Sequence, residues 1–205
     1  MKNPFFAIAF LLITTVCSTD AFSQVKFGIK GGLNLANFDI ENTNNSDALL
    51  TPQAGIVLYS NLNKPVFFQT GLLYNQKGTK STVAGIENSF KYNFIELPAN
   101  VGFQIPVGNA FSVSPYVGAF AGYAISGKAK IGDVSFDIFD TDFQNLQDEE
   151  FDDKRMDYGA NVGVGLHFNN KLIISGQYAH GLSNLGSDNN KAETRTTTLG
   201  LTFLF

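Results

Sequence analysis

From Val25 to Phe205 the sequence is written almost wholly in period two, apolar side chains alternating with polar or small ones through eight segments. Alternation of this kind puts one set of side chains on each face of a β-strand. The segments run from Val25 to Asn37, Thr51 to Leu62, Pro65 to Lys77, Lys91 to Ile105, Ala110 to Lys128, Arg155 to Phe168, Lys171 to Leu182 and Thr194 to Phe205. Each reaches or exceeds the roughly 9 to 11 residues that a tilted strand needs to cross a bilayer. Outside the N-terminus no run of about 20 apolar residues is present, so a helical membrane protein is excluded.

The connections between these segments alternate in length. Those after the second, fourth and sixth are tight, at Asn63-Lys64, Pro106 to Asn109 and Asn169-Asn170, and carry the Asn, Gly and Pro residues that turns require. Those after the first, third, fifth and seventh are long and polar. Short turns on one side and long loops on the other predict an all-β fold, an eight-stranded antiparallel transmembrane up-and-down β-barrel with both termini on the periplasmic side.

The faces follow from parity. On the sixth segment Tyr158, Ala160, Val162, Val164, Leu166 and Phe168 oppose Asp157, Gly159, Asn161, Gly163, Gly165 and His167. A soluble barrel would turn the apolar set inward; a small membrane barrel reverses this, with lipid outside and a polar lumen. The aromatic residues of the apolar face decide between them, because they sort by height. Phe27, Phe68, Phe103, Phe111, Phe168, Phe203 and Phe205 fall near the short turns, and Tyr74, Tyr123, Tyr158 and Tyr178 near the long loops. Two such bands are the girdles of a membrane barrel. The terminal segment TLGLTFLF then closes the barrel by pairing with the first, so that no strand edge meets hydrocarbon.

Ahead of the barrel, residues 1–23 read as a secretory signal: Lys2, an apolar stretch from Phe5 to Ile13, and small residues at Ala21 and Ser23 before the expected cleavage. A membrane anchor and a lipoprotein at Cys17 are the weaker alternatives, the apolar stretch being short and Thr14-Thr15-Val16 a poor lipidation context. Residues 24–205 form the expected barrel domain. Removal of the signal takes away the single cysteine, which rules out disulfides and thiol chemistry in the mature chain, and leaves the formal charge at -4. No nucleic-acid partner is expected.

The chain resembles the small outer-membrane β-barrel proteins of Bacteroidetes-type bacteria known as the PorT-like or porin-like family. The resemblance lies in FGIKGGLN at Phe27 to Asn34, FQTGLLYNQKG at Phe68 to Gly78, YNFIELPANV at Tyr92 to Val101 and SPYVGAFAGY at Ser114 to Tyr123. It implies an outer-membrane location and no single activity. The ending Thr198-x-Gly200-x-x-Phe203-x-Phe205 is similar to the terminal signal read by the barrel-assembly machinery, the first expected partner besides outer-membrane lipids.

Parity assigns Lys26, Lys30, Lys77, Glu96, Arg155, Asp157, His167 and Lys171 to the lumen, with Asn34, Gln69, Asn75, Asn100, Gln104, Asn161 and Gln177. A polar network that fills a narrow barrel is the expected role, centred on Lys30, Glu96, Asn100, Asp157, Asn161 and His167. Lys30 and Glu96, on non-adjacent strands, are expected to meet across it. The segment 129–154 carries nine of the eighteen acidic residues together with several phenylalanines, which makes it a candidate contact surface for a protein partner. It lacks the glycine and terminal glutamate of a calcium loop. No cofactor and no metal are expected, and a monomeric barrel is. Three function classes remain: a structural or interaction barrel, a narrow pore or small-ligand carrier, and a lipid-modifying enzyme. The last rests only on His180 and Ser183 lying together near the outer rim, without an oriented base or oxyanion site. A structural or interaction role at the cell surface, without enzymatic activity, is the favoured expectation.

Overall fold

The computed structural model describes residues 25–40, 47–62, 64–83, 86–108, 111–132, 134–139, 155–169, 171–185 and 191–205. Ten strands are formed: β1 (Val25–Ile40), β2 (Asp47–Ser60), β3 (Val66–Val83), β4 (Ile86–Phe103), β5 (Ile105–Val107), β6 (Phe111–Ile131), β7 (Val134–Asp137), β8 (Met156–Phe168), β9 (Leu172–Gly181) and β10 (Ala192–Leu204). Eight of them make a closed antiparallel barrel. Its order is β4-β3-β2-β1-β10-β9-β8-β6, and β6 returns to β4. The short β5 prolongs β4 along the same edge of β6, and β7 folds back on the far end of β6.

Closure is made where the sequence places it. Gly28 to Ile40 of β1 pair with Leu204 to Ala192 of β10, and beyond the ladder the Phe205 N–H donates to the Phe27 carbonyl at 2.8 Å. The last strand therefore has partners on both sides, which a bilayer interior demands of every strand.

The tight turns sit at the expected end. Asn61 (φ 63°) and Asn169 (φ 49°) take the left-handed conformation that asparagine tolerates, and Gly108 (φ 77°) does so after β5. Pro106, expected in the turn, is instead paired with Ser112 inside β5. The other end departs more from expectation. The third connection, expected as a long loop from Gly78 onward, is strand up to Val83 and strand again from Ile86, with Gly78 paired to Lys91 and Val83 to Ile86. The first and fifth connections are shortened in the same way, β1 reaching Ile40, β2 starting at Asp47 and β6 reaching Ile131. Thr, Ser and Lys dominate the extension of β3, while Phe38, Thr79 and Ala129 on the inner side of the extended strands stay buried; polarity marks the solvent and leaves the ladder intact. Residues 1–23 and 140–154 fall outside the described residues.

The aromatic bands are on the outer wall: Phe27, Phe68, Phe103, Phe203 and Phe205 near the turns and Tyr74, Tyr123, Tyr158 and Tyr178 toward the loops are all exposed. Val164 lies between the bands, 45% exposed, while its neighbour Gly163 faces inward, where an added Cβ would meet the Tyr116 ring at 2.4 Å. Val164→Arg is expected to cost about 2 to 4 kcal/mol in unfolding from lipid vesicles, as a charge near the midplane does. Val164→Leu should be neutral, and an equal tolerance of Arg and Leu would remove Val164 from the lipid face.

Candidate functional site

The lumen holds the candidate side chains, and the alternation of the strands carries them there. Lys30, Glu96, Asn100, Asp157, Asn161 and His167 are each at most 4% exposed. At mid-height Lys77 organises a network that crosses the barrel. Its Nζ lies 2.8 Å from Glu96 Oε2 and 2.9 Å from Asp157 Oδ2, and 4.1 Å from the centre of the Phe120 ring. Asp157 accepts further hydrogen bonds from Ser183 Oγ (2.7 Å) and Thr194 Oγ1 (2.9 Å). On the other side Asn75 Nδ2 donates to Glu96 (3.0 Å), Asn34 Nδ2 donates to Asn75 Oδ1 (2.7 Å), and Thr198 Oγ1 donates to Asn34 Oδ1 (2.7 Å). One connected chain of polar groups thus joins β10, β1, β3, β4 and β8. A cation shared by two carboxylates, each with further donors, is how buried charge becomes tolerable.

Glu96 therefore meets Lys77 rather than the expected Lys30. The reason is register: Leu73 of β3 pairs with Glu96 of β4 and Lys77 with Tyr92, which places Lys77 on the same face two pleat repeats above the carboxylate, and its long side chain reaches down to it. Lys30 stands on β1, its stem passing over Gly200. Lys171 is likewise displaced from expectation. It lies exposed in the turn before β9, and its carbonyl accepts from the Leu204 N–H. Lys26 and Arg155 are half-buried at the two ends, and Gln104 donates to Ser112 Oγ at 2.9 Å. Asn100 Nδ2 donates to Gln69 Oε1 (3.2 Å), whereas Asn161 makes no hydrogen bond to protein through either amide atom. Buried polar atoms of that kind are ordinarily met by ordered water.

Above and below the polar layer the lumen is apolar, which parity arguments about charged residues missed. Toward the turns Val57, Tyr59, Leu62, Phe67, Leu73, Tyr116, Ile173 and Leu204 form one buried cluster. His167 joins it, its ring edge-on to Tyr59 (6.2 Å) and Phe67 (5.8 Å), with Nδ1 making no hydrogen bond to protein. Toward the loops Phe38, Tyr92, Phe94, Ala124, Ala129, Ile138 and Leu185 form a second, with Phe139 packed against it. The signal was present: Tyr59, Phe67, Phe94, Tyr116 and Phe120 share parity with the polar lumen residues. Glycines across the ladder make the room, Gly163 for Tyr116 and Gly102 for Phe67, where any Cβ would collide at 2.4 Å.

The remaining candidates separate. Ser183 turns inward to Asp157, while His180 turns outward to Glu193 at 3.4 Å, so the two do not form a nucleophile and base. Among the described residues no group of three or more His, Cys, Asp or Glu side chains gathers as a metal site. Thr198 and Gly200 of the terminal motif face the lumen, and Phe203 and Phe205 face outward, their rings edge to face at 5.5 Å. Residues 6–205 match the outer membrane protein beta-barrel domain. The chain belongs to that family. No protein of curated function matches it. The solved structures that this outer-membrane barrel is similar to include the following. One is the attachment invasion locus protein Ail of Yersinia pestis, crystallised with a heparin analogue (16% identity, TM-score 0.44, 89% of this chain and 99% of that one). The second is Neisserial surface protein A (11%, 0.48, 87% and 97%). The third is OprG of Pseudomonas aeruginosa (10%, 0.46, 89% and 96%).

Proposed function

We propose that the protein is a closed surface barrel that acts by contact, presenting its extramembrane parts to a partner, and does not conduct solutes. The observation that supports this reading is the filling of the lumen in three layers, an aromatic cluster at each end and the Lys77 network between. A path for solute would have to break all three. The contact surface is the segment 129–154, whose described part folds β7 against β6 and sends Ile138 and Phe139 into the barrel mouth. Phe139 there packs on Tyr92 and under the Arg155 guanidinium at 4.2 Å, which tethers both ends of the acidic stretch at the extracellular opening. Membership of the PorT-like group, a cleaved signal over residues 1–23, a monomeric barrel and reading of the terminal motif by the barrel-assembly machinery belong to the same proposal.

Planar-bilayer recordings of the purified protein should show no steps of porin size at any voltage that the bilayer withstands. Photo-crosslinkers placed at Asp137 and Ser135 should capture one discrete partner in native membranes. Reproducible conductance steps would favour the narrow pore, and crosslinks confined to lipid would remove the protein-partner reading.

A further inference from the structure

Above the tyrosine belt, the outer wall of β3, β4 and β6 carries lysines that the lumen network does not use. The ladder dictates which side chains share this wall. Gly78 pairs with Lys91 and Lys91 with Lys128; Lys80 pairs with Ser89 and Ser89 with Lys130. Paired residues lie on one side of a sheet, and on β3 and β4 this is the side of Tyr74 and Ile95, which pair two register steps below. Lys91, Lys128 and Lys130 are exposed and Lys80 half-buried.

Between the tyrosines and the lysines lies a fixed polar row. Gln76 Nε2 donates to Asn93 Oδ1 (2.7 Å), Tyr74 OH donates to the same oxygen (2.8 Å), and Asn93 Nδ2 donates to Ser126 Oγ (2.7 Å). At about 3.3 Å per residue along strands tilted by roughly 40°, Lys91 and Lys128 stand about 10 Å above the tyrosine belt, and Lys80 and Lys130 about 15 Å. That is the headgroup level.

Charge on this wall is only partly matched, two carboxylates in register facing four lysines. Lys91 and Lys128 face each other directly, an arrangement that disfavours the ladder unless an anion lies between. The acidic neighbours in register are Asp137 opposite Lys128 and Asp47 opposite Lys80. On the far side of the barrel Arg195 is paired with Asp39. After β7, Ile138 and Phe139 pack into the buried cluster at the barrel mouth. Below the polar row the wall is apolar, with Leu72, Leu97, Val117 and Tyr123 exposed.

We propose that this wall binds a phosphorylated glycolipid of the outer leaflet, its phosphates on Lys91, Lys128, Lys130 and Lys80 and its acyl chains on the apolar face beneath. A lipid anion meets both halves of the surface; a soluble polyanion meets only the lysines. This inference goes beyond the contact role proposed above and holds or fails independently of it.

The test is native mass spectrometry of the full barrel, released from detergent and titrated with bisphosphorylated lipid A or its dephosphorylated form. The phosphorylated form should bind at least tenfold more tightly. Lys91→Gln/Lys128→Gln/Lys130→Gln should lose that preference, and Lys64→Gln/Lys171→Gln, which removes exposed charge at the turn end, should keep it. Heat-modifiable gel mobility reports folding, and single Lys91→Gln and Lys128→Gln variants, each expected to lose part of the preference, serve if the triple variant misfolds. Equal binding of the two lipids, equal loss in the turn variant, or inositol hexakisphosphate binding as tightly as the lipid would overturn the proposal. So would phosphate-dependent binding that emerges only after residues 140–153 are deleted, since that result makes the acidic stretch the native occupant.

Discussion

Lys77→Met is expected to destabilise the barrel by about 3 to 5 kcal/mol, the scale for removing one partner from a buried ion pair. The substitution nearly preserves side-chain length, so the loss is electrostatic: Glu96 and Asp157 would remain inside without the ammonium they share. The cation's contact with the Phe120 face would go as well. Urea unfolding in lipid vesicles measures the effect. Glu96→Gln alone should cost less, because Lys77 keeps Asp157 and Asn75 can still donate to the amide oxygen. The combination Lys77→Met/Glu96→Gln/Asp157→Asn should recover most of the lost stability, since no uncompensated charge stays buried. If Lys77→Met unfolded at the wild-type urea concentration, the network would carry no weight in holding the lumen shut.

Phe205→Asp should leave synthesis and export unchanged while sharply reducing the folded membrane species. Phe205 is 73% exposed, its ring contacts Phe203 outside the barrel, and its N–H makes the final closing hydrogen bond to Phe27. The substitution removes an aromatic anchor and sets a negative charge where the strand enters lipid. Cell fractionation with heat-modifiable mobility should show unfolded or degraded protein in the periplasm. Phe205→Tyr should insert normally, which separates loss of the aromatic anchor from loss of the backbone bond. Normal insertion of Phe205→Asp would make the terminal side chain dispensable for assembly.

Facing was legible residue by residue, because β alternation is local: Asp157 and Asn161 point in and Tyr158 and Val162 point out whatever the strands pair with. The same parity held the inner aromatics, yet Tyr116 and Phe120 read as ordinary strand residues until Gly163 and Gly159 were seen opposite them. The extent of the hairpins was less legible. TKSTV after Gly78 has the polarity of a loop and the β-branched content of a strand, and only pairing with Ile86 to Phe90 decides between them.

The sequence by itself thus determined the barrel, its closure by the last strand, the lipid face with its two aromatic bands, and which strand residues face the lumen, but not that Lys171 lies outside it in a turn. Tertiary structure alone decided who meets whom. Lys77 and Asp157 are 80 residues apart, and their contact depends on the cumulative register of every ladder around the barrel. A one-residue slip in any ladder turns a strand's inward set outward. Local alternation carries no information about that sum, so it can place Lys30, Lys77, Glu96 and Asp157 in one lumen without saying that Lys77 is the cation the carboxylates share. The same holds outside, where only the β4–β6 register sets Lys91 against Lys128.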